Sequence, residues 1–462
     1  MIDGGVPTIA GASIKEASVA AFKAGLRGQL LRPGDDNYDG ARKIWNGMFD
    51  RRPALIARCA GTADVMSAVN FARDNGLPVA VRGGGHSFPG HSVCDGGLVI
   101  DLSPMRSIRV DPAARTARVQ PGAKWIDFDH ETQAFGLATT GGTASDTGIA
   151  GLTLGGGLGW LSSKHGLTVD NLLSADVVTA DGRFLTASAE ENQDLFWGLR
   201  GGSGNFGVVT SFDYQLHTVG PTILGGMVVY PVAQAKEVLR FYREFSKAAP
   251  DELTIYAGIL NPPDRETVIA LICCYCGPLG KGDAVVRPVK SFGSPLQDVL
   301  GPLPYAVQQS LTDAGFPSGS YYYTKGGFLA DLTDQIIEVF AEYAATKPSP
   351  LSGVLVQTVF GAARRVDSKA MAFPHRSLPY APVIVSQWLD AADSDKNVAW
   401  ARDFWMALEP FAGGAYVNDL GRDDENRIRI AYGANYERLA ALKKKYDPDN
   451  FFRLNPNIKP TV

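Results

Sequence analysis

The sequence predicts an α+β fold: a glycine-rich first half of mixed strands and helices, then a second domain built on a sheet with helices on one face. Three observations carry this. A strand–helix–strand unit over residues 54–81 leads into mostly antiparallel strand pairs, not a repeating β–α–β array. Glycine, 52 of the 462 residues, clusters at 83–97, 141–159 and 201–207. Near Gly220 the clusters stop, and strand-like runs separated by amphipathic helices take over.

Taken in order, Ala54 to Arg58 reads as a short apolar strand. Thr62 is placed to N-cap a helix through Asn75, with Val65, Val69 and Ala72 on one face. Gly76 and Pro78 stop that helix. The strand VAVR then runs into RGGGHSFPGHS. GLVIDLSPMRSIRVDP and ARTARVQPG read as paired strands, and KWIDFDHETQAFG as a helix with Trp125, Phe128 and Thr132 on one side. Leu172 to Ala180 is a strand closed by the hairpin signal Asp181-Gly182. ENQDLFWGLRGG is a short helix and GVVTSFDYQL a strand. Beyond Gly220, ILGGMVVYPV, ELTIYAGIL, TVIALICCYCG, GVLVQTVFGAA and APVIVSQWLDAA alternate or run apolar as strands do. Helices around Val232–Lys247 and Asp331–Thr346 would back that sheet on one face.

Composition excludes several classes. A net charge of −4 gives no general attraction for nucleic acid or anionic membrane. The apolar run Val268 to Cys276 is nine residues and too short to span a bilayer. MIDGGVPTIAGASIKEAS has no basic start before an apolar stretch, so no secretory signal is expected there. Five cysteines without framework spacing fit a reducing, cytoplasmic compartment. In ALICCYCG, strand alternation puts Cys274 and Cys276 on one face and Cys273 on the other; no His follows at zinc spacing, and no metal site is expected.

Two glycine clusters point to chemistry and one does not. Gly202 to Gly207 matches GxGxxG, but a strand follows where a dinucleotide site needs a helix. In Arg82-Gly83-Gly84-Gly85-His86-Ser87, successive amides can form a nest for phosphate oxygens, with Arg82 adding charge. His86 is a nucleophile that can bond a cofactor, or simply a histidine on a glycine turn. The bare backbone over 141–159 suits a large planar ligand, or a hairpin with flexible loops.

RGGGHS, CDGGLVIDLS, TGIAGLTLGGGLGWLSSKHGLTVDNL, VTADG, NQDLFWGLRGGSGNFGVVTSF and KYDPDNFFRLNPNI together resemble the berberine-bridge-enzyme-like flavoproteins. These belong to the p-cresol methylhydroxylase and vanillyl-alcohol oxidase superfamily. The strongest likeness is to a bacterial group that includes the flavoenzyme of enterocin biosynthesis. The resemblance implies a two-lobed FAD-binding domain over 1–218, a substrate domain over 219–404, and a C-terminal return over 405–462. It implies FAD bonded through its 8α-methyl to His86. Arg82, Gly83, Gly84, Gly85, Ser87, Gly148, Gly151, Gly207, Val208, Tyr416 and Asn418 would hold the cofactor. Where many relatives carry a second, cysteinyl link, this chain has Ala144, so a single link is expected.

Asp146, Thr147 and Leu152 fall where relatives approach the flavin N5 edge; the enterocin-type group has His in place of Asp146, which is either a charge near N5 or simply a hydrogen-bonded turn residue. Asp419 stands roughly where plant relatives carry a catalytic tyrosine. It is a base if burial raises its pKa, and otherwise a solvated loop acid. Gln357, Gln387 and Tyr321, Tyr322 and Tyr323 are candidates from the sheet, with Tyr321 and Tyr323 on one side. His375 in FPHRS reads as a surface-loop residue. The expected function is an FAD-dependent oxidase of a small organic molecule such as a polyketide, using dioxygen, with a flavin N5-oxide as oxidant in the enterocin-like version. An acyl carrier protein as substrate donor and a homodimer belong to the same expectation. The alternatives are a plain alcohol, amine or sugar oxidase releasing hydrogen peroxide, and a flavin-holding or carrier-docking protein without turnover.

Overall fold

The computed structural model describes residues 6–7, 13–261 and 266–461; most of the N-terminal stretch considered above as a possible leader lies outside them. Among the described residues no helix is long and apolar enough to cross a membrane.

The first lobe is a four-stranded sheet. β1 (Gln29–Leu31) lies antiparallel to β2 (Leu55–Arg58). Helix α1 (Thr62–Asp74) crosses over to β3 (Val79–Arg82), and β4 (Leu98–Asp101) lies between β2 and β3, parallel to both. Thus β4 leaves the hairpin to which its sequence pattern assigned it, because its wholly apolar LVI run is buried on both sides. Val65, Ala68, Val69 and Ala72 of α1 pack on Leu55, Ala57, Leu98 and Ile100. Gly61, not Thr62, is the N-cap, without a side-chain cap. The Asp64 carboxylate in the first turn accepts the amides of Arg27, Gly28 and Ala60 instead.

The second lobe is a five-stranded antiparallel sheet. Its strands are β5 (Ile108–Asp111), β6 (Thr116–Val119), β7 (Leu172–Val178), β8 (Phe184–Ser188) and β9 (Val208–Gln215), in the order β8-β7-β9-β6-β5. Gly182, at φ +80°, makes the predicted turn between β7 and β8. Helices α2 (Trp125–Gln133), α3 (Ile149–Gly155) and α4 (Gln193–Leu199) cover it. The strand β9 directly after Gly207 rules out a dinucleotide turn of the GxGxxG kind.

Residues 222–414 form a ten-stranded antiparallel sheet. Its main strands are β10 (Thr222–Pro231), β11 (Leu253–Leu260), β12 (Val268–Tyr275), β13 (Tyr321–Gly326), β14 (Gly353–Thr358) and β15 (Tyr380–Trp388). One face carries helices α5 (Ala235–Ala248), α6 (Leu279–Ser291), α7 (Asp334–Thr346) and α8 (Ser394–Leu408). Sequence reading found α5 and α7 but not α6, which contains Gly280, Gly282 and Pro288. Burial of Val286 and Val289 against the sheet overrides those poor helix formers. The other face packs Tyr256, Ala270 and Ile272 on Trp160 and Leu161 of the second lobe. Cys273 faces the helices while Cys274 and Cys276 face the lobe, as alternation requires.

The chain returns to the second lobe through α9 (Tyr436–Tyr446), whose Leu439, Ala440 and Leu442 join that core. Lys443 and Asp447, both fully buried, meet at 2.6 Å. Lys443 also donates to the carbonyls of Asn205 and Phe452, and Asp447 accepts the amides of Phe451 and Phe452. Every polar atom of this pair holds the terminal segment in place. Lys443→Met leaves a buried carboxylate without its counter-ion and should cost about 3 kcal/mol, read as a lower midpoint in urea unfolding.

Candidate active site

Gly83, Gly84 and Gly85 continue directly from β3, and the loop before α3 comes to meet them. A Cβ on Gly84 would lie 2.4 Å from the Gly148 Cα, and one on Gly148 would lie 2.7 Å from Gly84. The two backbones therefore touch, which only glycine permits. Among the described residues, the amides of Gly83 through Ser87 donate to no backbone or side-chain acceptor. Such a row of free N–H groups is an anion nest. A long cavity opens beside this contact. Gly83 to Ser87, Gly148 and Gly151 form its floor, and Gly204, Gly207 and Val208 one end. Phe452, Leu454 and Asn455 from the terminal segment close that end. The sheet supplies the roof, with Leu260, Ile272, Leu355, Gln357, Val383 and Val385.

His86 lines the same cavity. Its ring stacks on Trp45 at 4.1 Å, Trp45 stacks on Tyr322 at 4.0 Å, and Phe88 meets His86 edge-on. Trp45 is fixed by its amide, which donates to the Gly85 carbonyl, and by its carbonyl, which accepts from Gly319. The His86 Nε2 is buried and lies 3.2 Å from the Asp146 Oδ1. Burial pushes the Asp146 carboxyl up, but His86 and the Lys124 charge outweigh it and hold it below the usual carboxylate range. Asp146 does not line the cavity; Thr147, Leu152 and Ala144 do.

Tyr416 and Asp419 face the floor from the segment before α9. The Tyr416 hydroxyl accepts the Gly157 amide at 3.1 Å and the Asn418 side-chain amide at 2.9 Å. Both acceptor sites are then filled, and its own proton is left to donate into the cavity. Burial pushes this phenol up to about 12, so it stays protonated. Asn418 fits because residue 155 is glycine: a Cβ there would lie 2.0 Å from the Asn418 Oδ1. Asp419 lines the cavity wall, and burial pushes its carboxyl up to about 7, with Arg427 opposing and Asp424 adding to the shift. It is half-buried in that wall and not freely solvated.

Other sequence candidates fall elsewhere. The Arg82 guanidinium is bound to Asp101 at 2.5 and 2.9 Å and to the carbonyls of Ala41 and Lys43, so this side chain braces β3 and is not a phosphate ligand. Gln357 reaches the cavity, whereas Gln387 is buried beside Ser320. Tyr323 bonds Asp423 and Arg402 and Tyr321 packs on Trp388, both away from the cavity; Tyr322 stays near it through Trp45. His375 is buried and not on a surface loop. It bonds the Ala431 carbonyl at 2.9 Å, and burial pushes it down to about 4. Sequence reasoning missed Trp45, the aliphatic roof and the Phe452 to Asn455 closure. Only NFFRLNP, apolar and proline-ended at the terminus, gave a local signal for any of them.

A nest of free amides, a glycine-lined floor and the His86 imidazole in the cavity lining fit the phosphates, the ring system and the methyl edge of a flavin dinucleotide. Comparison with known proteins agrees. The profile of an FAD-binding domain matches residues 53–188, and that of "berberine and berberine like" proteins matches residues 415–459. An FAD-linked oxidoreductase of Dictyostelium discoideum is 36% identical over 96% of this chain and 97% of its own. (R)-6-hydroxynicotine oxidase of Paenarthrobacter nicotinovorans is 31% identical over 96% of this chain and 99% of its own. The crystal structure of 6-hydroxy-D-nicotine oxidase from Arthrobacter nicotinovorans superposes with a TM-score of 0.87 at 30% identity, covering 94% of this chain and 98% of that one. Gly148 has φ −70°, open to any residue, so Gly148→Ala tests the backbone contact alone. It should cost about 1–3 kcal/mol and lower the flavin-to-protein absorbance ratio of the purified protein.

Proposed function

We propose, on the premise that the chain belongs to the berberine-like FAD-linked oxidoreductases, that it oxidises an alcohol or amine carried on an apolar body, with Asp419 as the base. FAD-dependent oxidation of a small organic molecule follows from family membership. The further particulars are our reading. Bound FAD supplies the electron acceptor and, through dioxygen, its own reoxidation. The chain supplies binding, orientation and the movement of one proton.

The observation that carries this reading is the position and proton affinity of Asp419. A carboxyl pushed up to about 7 in a cavity wall takes a proton from an O–H or N–H near neutral pH far better than an ordinary one. Tyr416, protonated and pointing into the same space, donates a hydrogen bond toward the developing charge. Gln357 is a polar group on an otherwise aliphatic roof and orients the substrate. No Lys or Arg lines the cavity among the described residues, so an anionic substrate finds no counter-ion there. An oligosaccharide, as taken by the xylooligosaccharide oxidase relative, would lose hydrogen bonds to water against Leu260, Ile272, Leu355 and Val383. A polyketide or similar secondary metabolite, free or delivered on an acyl carrier, suits that roof better.

His86 is proposed to hold the flavin covalently through its 8α-methyl, with Trp45 and Asp146 fixing the imidazole. Ala144, in the cavity lining, offers no thiol for a second bond. Thr147 and Leu152 are proposed at the N5 edge, where an N5-oxygenated flavin would be the oxidant in the enterocin-like version. A native spectrum that one cycle of reduction and anaerobic reoxidation converts to ordinary oxidised flavin supports that version.

Two outcomes are expected. After acid precipitation the yellow colour stays with wild-type protein and washes away from His86→Ala. Colour lost from both overturns the covalent link. In anaerobic stopped-flow reduction by a panel of neutral aromatic alcohols and amines, the rate rises with pH to a plateau, with an apparent pKa of about 7. Asp419→Asn slows it by about 10²- to 10⁴-fold without loss of flavin.

A further inference from the structure

Behind Asp419 lies a buried ionic array that the scheme above leaves unused. Lys325, the penultimate residue of β13, places its Nζ 2.7 Å from Asp424 and 3.1 Å from Asp423. Arg427 donates to Asp424 at 3.1 Å and to the Gly326 carbonyl at 2.7 Å, with its guanidinium over the Trp405 ring. Lys325, Asp424 and Arg427 are exposed by only 5%, 2% and 6%. On the other side of the same peptide, a Cβ on Gly326 would lie 2.7 Å from the Asp419 Oδ2. Asp419 thus meets bare backbone at Gly326, and Arg427 holds the carbonyl of that same residue.

Desolvating three charges is expensive, and apolar replacements of such groups are often as stable or more so. Stability alone therefore does not account for the array, whereas its place against Asp419 does. We propose that Arg427 and Asp424 are positioning residues that set the proton affinity of Asp419 and the placement of its carboxylate. This rests on the reading of Asp419 as the base. The other ionisable groups near Asp419 are Tyr416, which is neutral, and His91, which bonds the Leu420 carbonyl from the opposite loop. Lys325 and Asp423 stand behind Asp424, and Tyr323 and Arg402 bind Asp423 from outside. Arg427 favours the Asp419 carboxylate and Asp424 disfavours it, so their removal acts in opposite directions.

The test is a pH titration of flavin absorbance in the holoenzyme, needing no substrate. Wild type should show a transition near neutral pH that Asp419→Asn abolishes. Arg427→Gln moves it up and Asp424→Asn moves it down, each by about one unit. Arg427→Lys keeps the charge and returns it close to wild type. A variant that merely loosened the fold would move both substitutions the same way, or lose flavin without a shift. If Arg427→Gln does not load flavin, the downward shift in Asp424→Asn decides alone; should neither load, Lys325→Gln replaces them, with an upward shift expected. A transition that stays at its wild-type position in these variants, yet disappears in Asp419→Asn, overturns this inference and leaves the base intact. A transition that survives in Asp419→Asn overturns the reading of the base itself.

Discussion

Two stretches of backbone touch at Gly84 and Gly148, and the rest of the site depends on that contact. It joins the end of β3 in the first lobe to the loop before α3 in the second. No side chain larger than hydrogen fits between them. The contact sets the depth of the floor, the direction of the amides after Gly83, and the place of His86 two residues on. The neighbouring loop is held on the same side: Lys124 bridges Gly148, and Trp125 donates its amide to the Thr147 carbonyl. A side-chain-free seam of this sort gives up conformational entropy in the unfolded chain for access to a large flat ligand.

Three walls of the cavity are each braced by a group of buried ions. Arg82 and Asp101 hold the end of β3 beneath the floor. Lys443 and Asp447 hold the terminal segment that closes one end. Lys325, Asp424 and Arg427 hold the wall that carries Asp419. Buried pairs contribute little net stability, but they accept only narrow geometry. Their repetition behind three separate walls suits a cavity whose glycine-rich backbone has few side-chain contacts of its own to keep it in place. In all three groups a cation also holds a main-chain carbonyl, so charge and chain path are fixed together.

What was legible in the sequence was local. Glycine runs, the Asp181-Gly182 turn and strand alternation in ALICCYCG depend on neighbours along the chain, and they matched the folded positions. The motif resemblance placed His86, Tyr416 and Asp419, because those stretches carry their pattern within a few residues. What was not legible depends on tertiary partners. Arg82 looked like a phosphate ligand because Asp101, nineteen residues on, cannot be seen as its partner from spacing. His375 looked exposed because its burial comes from Phe328 and from the Ala431 carbonyl. Helix α6 was hidden by Pro288 and two glycines, and Trp45 had no motif around it. Whether Asp419 stood in a cavity wall or in solvent turned on Gly326, which is distant in sequence, and on a fold of the chain that brings Arg427 to the Gly326 carbonyl.

The large sheet also separates two kinds of inheritance. Along β12, β14 and β15, Ile272, Leu355, Gln357, Val383 and Val385 face the cavity. The residues between them, Leu271, Cys273, Val356 and Ile384, are locked under the helices. One parity of each strand therefore answers to folding alone, while the other both packs on the second lobe and lines the space that the ligand enters. Descendants of such a chain can vary the cavity-facing positions that stand clear of the second lobe while the helix-facing set stays still. A lineage built on this sheet can change its diet without relearning how to fold.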